Sequence, residues 1–156
     1  MDAEPVRRVL IAGVGNVLRG DDGFGPAVLA HLNGLPEGVA LLESGTGGMA
    51  LLQTLMDGWD GLIIIDAVDR GGAPGTVFVI EPAIEEPHHV SDIHLANPQR
   101  VLMMAGGLGV LPPRVMMVGC QPDDVDTLGE HLSPPVRGAV AQAAAEVREV
   151  LRTWLG

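Results

Sequence analysis

The chain has 156 residues, a formal net charge of −11, 47% hydrophobic residues and only 3% aromatic residues. This length predicts a single domain, residues 1–156, while the acidic charge and the scarcity of aromatic rings argue against nucleic-acid binding and against an anionic membrane surface. One cysteine, Cys120, allows neither an intramolecular disulfide nor a multi-cysteine zinc site.

The first predicted strand leads into a glycine-rich loop that carries two adjacent acids. Residues 9–12 are apolar, as in a strand buried on both faces, and the loop that follows contains Asp21 and Asp22. Open α/β sheets bind their ligands outside the carboxyl ends of the strands, so this loop is a candidate site. The apolar run is too short for a signal peptide or a membrane span, and we therefore expect a cytoplasmic protein.

The rest of the chain alternates between predicted helices and predicted strands. Helical spacing covers 26–33, 49–56 and 97–106, and a long final helix is capped by Ser133. Apolar runs predict strands over 38–42, 62–65, 76–80 and 115–119. This alternation is typical of a three-layer α/β/α sandwich with a mainly parallel sheet.

Acids at the ends of two predicted strands point to a cation site. Asp22 follows the first strand and Asp66 ends the third, and both would face one crevice if these strands are neighbours. A histidine from the 87–98 loop could complete a set of two carboxylates and one imidazole, which suits a divalent transition ion. The loop offers His88, His89 and His94, and spacing alone does not choose among them. Each aspartate could instead serve only to cap a turn.

Two other kinds of site are weaker alternatives. Gly13 and Gly15 open a βα unit as in dinucleotide-binding proteins, but Leu18 stands where that fingerprint needs a third glycine and the two acids would repel a diphosphate. Cys120 ends a predicted strand at the same rim as Asp66, so a thiol nucleophile is conceivable. A cysteine beside an apolar strand is more often an inert packing residue, and we favour that interpretation.

Several segments together resemble the hydrogenase maturation endopeptidases. They are Gly13-Val-Gly-Asn16, Gly20-Asp-Asp-Gly-Phe-Gly25, Glu43-Ser-Gly-Thr-Gly-Gly-Met49, Ile64-Ile-Asp-Ala67, Ser91 with His94, and Val118-Gly-Cys-Gln-Pro122. They follow in order over nearly the whole chain, and their combination is more specific than any one segment.

The resemblance implies an endopeptidase that removes the C-terminal extension of a nickel-iron hydrogenase large-subunit precursor after nickel insertion. It assigns the metal-ligating and catalytic roles to Asp22, Asp66 and His94, with the nickel carried by the precursor. The helix of 97–106 and the acidic loop of 122–131 are candidate contacts for the precursor. A non-catalytic metal-binding module on the same fold and a nucleotide-binding α/β protein are the alternatives.

Overall fold

The computed structural model describes residues 5–45, 48–82 and 98–156. Its strands are β1 (Val9–Val14), β2 (Val39–Gly45), β3 (Gly61–Ala67), β4 (Val77–Ile80) and β5 (Arg114–Cys120). Its helices are α1 (Phe24–Leu29), α2 (Met49–Leu55), α3 (Pro98–Leu108) and α4 (Pro134–Leu155), and a 3-10 turn, Gly20–Gly23, precedes α1.

The five strands form one mainly parallel sheet in the order β2-β1-β3-β5-β4. The strands β1, β2, β3 and β5 are parallel, and β4 pairs antiparallel with β5. β1 and β3 are therefore neighbours, as the cation-site hypothesis requires. Every residue of β1 is buried, which confirms the prediction of a strand covered on both faces.

A hydrophobic layer covers each face of the sheet and confirms the predicted α/β/α sandwich. On one face, β1 and β3 pack with α1 and α4 through residues such as Ile11, Val28 and Val147. On the other face, Leu10 and Ile64 pack with α2 and α3. With so few aromatic residues the core is aliphatic, and its stability comes from burying many branched side chains.

Close backbone contact brings α1 onto the ends of β1 and β3. A Cβ atom at Gly25 would lie 2.5 Å from the carbonyl oxygen of Ile65 and 2.6 Å from that of Val14. No side chain fits in that space, so glycine lets the helix start directly on the sheet. The 3-10 turn that carries both acids is thereby held over the carboxyl edge of the strands.

Two local predictions need correction. The helix predicted over 26–33 begins at Phe24 and ends at Leu29. It ends early because the following turn has hydrogen bonds between residues three apart, such as that from His31 N to Val28 O, as in a 3-10 helix. Ser133 does precede the final helix, but its hydroxyl makes no capping bond there and donates to a carboxylate elsewhere.

Candidate functional site

Asp66 lies at the carboxyl end of β3 and is almost completely buried. Its exposed fraction is 7%, and it precedes the last residue of the strand. Burial raises the pKa of Asp66 well above its usual range, the negative charge of nearby Asp22 raises it further, and a hydrogen bond from the Ala67 N–H opposes them only in part. Within the described residues, no cation contributes to this pKa. The carboxylate thus lies in a place where a positive charge would be strongly favoured.

Asp22 is held in the 3-10 turn between β1 and α1. Its Oδ2 accepts a hydrogen bond of 2.8 Å from the Asn16 N–H, which fixes the side chain against the loop. The loop turns tightly at Gly15, whose φ of +128° is in the region that favours glycine, and a Cβ there would lie 1.9 Å from the Asp22 carbonyl oxygen. The glycine-rich loop therefore positions Asp22 beside Asp66.

This loop is poorly suited to a nucleotide. A bound diphosphate needs free N–H groups in the glycine-rich loop that leads into the helix, but the Asn16 N–H of this loop already donates to Asp22. The first turn before α1 carries Asp21 and Asp22, which would repel phosphate. The dinucleotide alternative loses its main support.

Asp21, the neighbour of Asp22, serves a different purpose that sequence reasoning missed. It is fully buried, and its carboxylate accepts hydrogen bonds from Asp123 N, Asp124 N, Ser133 N and Ser133 Oγ at 2.6–2.9 Å. Burial alone would raise the pKa of Asp21, but these hydrogen bonds more than offset it, so the pKa lies below its ordinary value. Asp21 thus anchors the loop between β5 and α4. No sequence signal pairs it with residues about a hundred positions away.

Gln121 anchors the loop that follows β3 in a similar way. Its side chain is buried, accepts hydrogen bonds from Arg70 N (2.7 Å) and Gly72 N (3.2 Å), and donates to Asp69 Oδ1 (2.8 Å). The loops after β3 and β5 are thus joined to each other at the carboxyl edge of the sheet, where Asp66 lies. In the sequence, Gln121 stands out only as part of a family-like segment, and no role was predicted for it.

Cys120 is fully buried at the end of β5 and lies in the α1/α4 layer of the core. Burial and the negative charge of Asp21 raise the pKa of its thiol to about 11, despite a hydrogen bond that involves the Gly75 backbone. Because the thiolate is the nucleophile, such a thiol is unreactive near neutral pH. The preferred interpretation of Cys120 as a packing residue agrees with this environment.

The histidines predicted for the site, His88, His89 and His94, lie outside the described residues. In the described part of the chain, no third His, Cys, Asp or Glu joins Asp22 and Asp66 in a metal-binding group.

A cavity of about 510 Å³ lies next to α1 and the start of α4. Nine residues line it, among them Val17, Glu43, Glu130, His131 and Arg137. None of the helices that the structure describes is both long enough and apolar enough to span a bilayer.

Known proteins resemble this chain over nearly its whole length. The family model HycI, hydrogenase maturation protease, matches residues 27–150. HupD of Rhodobacter capsulatus, described as a hydrogenase expression/formation protein, is 38% identical, with coverage of 99% of this chain and 76% of that protein. HupD of Rhizobium leguminosarum bv. viciae is 36% identical over 96% of this chain and 77% of its own length.

Solved structures of hydrogenase maturation peptidases share the fold of this chain. The hydrogenase maturating endopeptidase HybD from E. coli superimposes with a TM-score of 0.75 and 31% identity, covering 94% of this chain and 93% of that chain. The hydrogenase 2 maturation peptidase from Thaumarchaeota archaeon SCGC_AB-539-E09 gives a TM-score of 0.69 and 32% identity, covering 92% and 97%.

Proposed function

Because the chain belongs to the hydrogenase maturation protease family, we propose that it removes a short C-terminal extension from a nickel-iron hydrogenase large-subunit precursor after nickel insertion. The members of this family are peptidases, and the alternative of a non-catalytic metal-binding module is therefore not retained. We further propose that the enzyme recognises the precursor through its bound nickel, using Asp22, Asp66 and His94 as ligands.

The observation that carries this proposal is the pair of carboxylates at the sheet edge. A buried Asp66 beside Asp22 is costly for a protein that only needs to fold, because like charges in a buried place disfavour ionisation. A divalent cation would reverse that cost by attracting both carboxylates. Oxygen ligands with one imidazole would leave coordination positions open for the precursor's own ligands to the same metal.

The topology around α3 supports the choice of His94. α3 packs on the sheet and leads into β5, which runs parallel to β3, so α3 runs opposite to both and begins near their carboxyl ends. His94 is four residues before Pro98, the first residue of α3. Four residues span about 14 Å at most, a length compatible with the proposed role of His94 as a ligand at that edge.

Nickel in this position could polarise the scissile carbonyl or activate a water molecule. Asp22 and Asp66 would hold the metal of the precursor and thereby fix the adjoining peptide bond against the sheet edge. Because the precursor itself carries the nickel, a precursor without nickel lacks the group that the carboxylates bind. Cleavage would therefore occur only after nickel insertion.

The test is a cleavage assay with nickel-loaded and nickel-free precursor. Wild-type protein should cleave only the loaded form, and Asp22→Ala, Asp66→Ala and His94→Ala should abolish cleavage. Exposed residues of the same types, changed in Asp57→Ala and His31→Ala, are matched controls that should retain activity. Equal cleavage of both precursors would contradict nickel recognition, and loss with His89→Ala in place of His94→Ala would reassign the histidine.

A further inference from the structure

Four exposed apolar side chains lie on two loops at the carboxyl edge of the sheet. Val17 and Leu18 follow β1, and Val125 and Leu128 follow β5; we call these four residues the loop patch. Leu18 is 54% exposed and Leu128 is 80% exposed. Scattered apolar residues on a surface need no explanation, but a group held together marks an interaction site.

The two loops are hydrogen-bonded to each other, so the patch is a fixed surface. Gly129 N donates to Leu18 O at 2.8 Å, and Gly20 N donates to Gly129 O at 3.1 Å. These bonds form a parallel bridge between Arg19 and Gly129, and Leu18 and Leu128 directly precede that bridge on their two loops. The Asp21 carboxylate anchors the second loop from beneath.

The patch is continuous with the proposed metal-binding edge. Leu18 is four residues before Asp22 on the same loop, and β5, from which the second loop emerges, pairs with β3 at Asp66 and Gly119. The patch and the two carboxylates thus lie at the same edge of the sheet, within reach of one bound chain segment.

Charge further defines the partner. Asp124 is occupied within its loop, where it accepts hydrogen bonds from Asp126 N, Thr127 N and the Thr127 hydroxyl, while Asp126 lies 3.7 Å from Arg19. The acids of the loop thus shape it and give the patch a negative border, while Val125 and Leu128 are its exposed apolar contacts. Such a surface complements apolar side chains with basic residues nearby.

We propose that the loop patch binds an extended segment of the hydrogenase precursor next to its scissile bond, through apolar side chains flanked by basic ones. The inference rests on the proposed function and adds a second point of recognition. The metal fixes the segment at one end and the patch fixes its direction along the sheet edge. Binding energy from the patch would then lower the KM for precursor and leave the chemical step alone.

The test compares the double variants Leu18→Ser/Leu128→Ser and Leu18→Met/Leu128→Met in steady-state cleavage of nickel-loaded precursor. The serine variant should raise KM roughly tenfold with kcat retained, since two exposed leucines lose their contacts, and the methionine variant should stay near wild type. Met56→Ser, at an apolar residue on the opposite edge that is about as exposed as Leu18, is the control. Leu128→Ser alone, at the more exposed position, gives the same comparison if the double variant folds poorly.

The outcomes separate the two proposals. No cleavage by wild-type protein overturns the proposed function, whereas wild-type cleavage with an unchanged KM in the serine variant overturns only the docking surface. A wild-type dimer that the serine variant converts to monomer, with KM unchanged, would assign the patch to a second copy of this chain. A wild-type KM that does not rise with salt would contradict the basic character of the segment.

Discussion

Asp60 and Asp66 lie at opposite ends of β3 and in opposite electrostatic environments. Asp60 accepts hydrogen bonds from Arg7 N and Arg8 N, both at 2.9 Å, and these bonds lower its pKa. Asp66 is buried beside Asp22, and its pKa is raised. A carboxylate with a lowered pKa stabilises the fold at neutral pH, whereas one with a raised pKa destabilises it.

We therefore predict that Asp66→Asn increases the free energy of unfolding at neutral pH by ~1–3 kcal/mol, although it abolishes cleavage. The folded state holds the Asp66 proton more tightly than the unfolded state does. The gain should thus shrink as the pH falls toward the ordinary range of an aspartate. Urea unfolding across pH measures it. Asp60→Asn is the matched comparison and should destabilise the protein; a destabilised Asp66→Asn variant would contradict this account.

The thiol of Cys120 has the character of a core group. We predict that Cys120→Ala retains cleavage activity and loses only about 1 kcal/mol of stability to the small cavity. In the folded wild-type protein, the thiol should resist alkylation near neutral pH because it is buried and protonated. Loss of activity in a folded Cys120→Ala variant would revive a thiol mechanism.

At the scale of elements, the contact of α1 with the sheet depends on Gly25. We predict that Gly25→Ala destabilises the protein by ~3 kcal/mol, because the backbone atoms that surround it cannot move aside as a flexible side chain could. Gly138→Ala is the control: Gly138 lies in α4 with open space where a Cβ would be added, and alanine there should stabilise by ~0.5–1 kcal/mol. Thermal unfolding of both variants provides the measurement.

The loop between β5 and α4 depends on one carboxylate. In Asp21→Asn, an amide replaces a carboxylate that only accepts hydrogen bonds, and the amide NH2 would face N–H groups that are themselves donors. We therefore predict that the free energy of unfolding falls by ~2–4 kcal/mol. The contribution of Asp21 is present at neutral pH and disappears as the pH falls from the ordinary aspartate value through its lowered pKa. Amide exchange at Asp123 and Asp124 should accelerate in the variant. Asp57→Asn, at an exposed position, should change neither quantity.

The elements could be predicted from sequence where the signal is local. β3 follows from its run of apolar residues, and because that run stops at Asp66, the acid lies at the sheet edge in any parallel arrangement. The parts that escaped prediction depend on contacts between distant residues. Asp21 and Asp22 are adjacent and chemically identical, and only the fold turns one toward a loop 102–112 positions away and the other toward Asp66. The hydrogen bond from the Ser133 hydroxyl to Asp21 escaped prediction for the same reason, because it joins residues 112 positions apart.

At the scale of the whole molecule, repulsion among acids opposes compactness. The chain has 20 acidic and 9 basic residues, and two ion pairs occur in the part that the structure describes, Arg19–Asp126 and Arg152–Glu149. We predict that several hundred millimolar sodium chloride raises Tm by ~2–4 °C, because salt screens the excess charge. A Glu37→Lys/Asp57→Lys variant, with fewer net charges, should show a smaller rise. A Tm that falls with salt would mean that the ion pairs dominate.

The adjacent carboxylates of the 3-10 turn make this stretch intolerant of any change in length. Asp21 holds a distant loop by hydrogen bonds, and Asp22 lies beside Asp66. A single residue inserted between Gly15 and Asp21 would therefore move both carboxylates away from their partners. Substitutions can separate stability from catalysis here, but insertions and deletions cannot. In a library of length variants, residues 15–22 should therefore form a gap in the tolerated positions, whereas the exposed turn around Gly34 should accept extra residues.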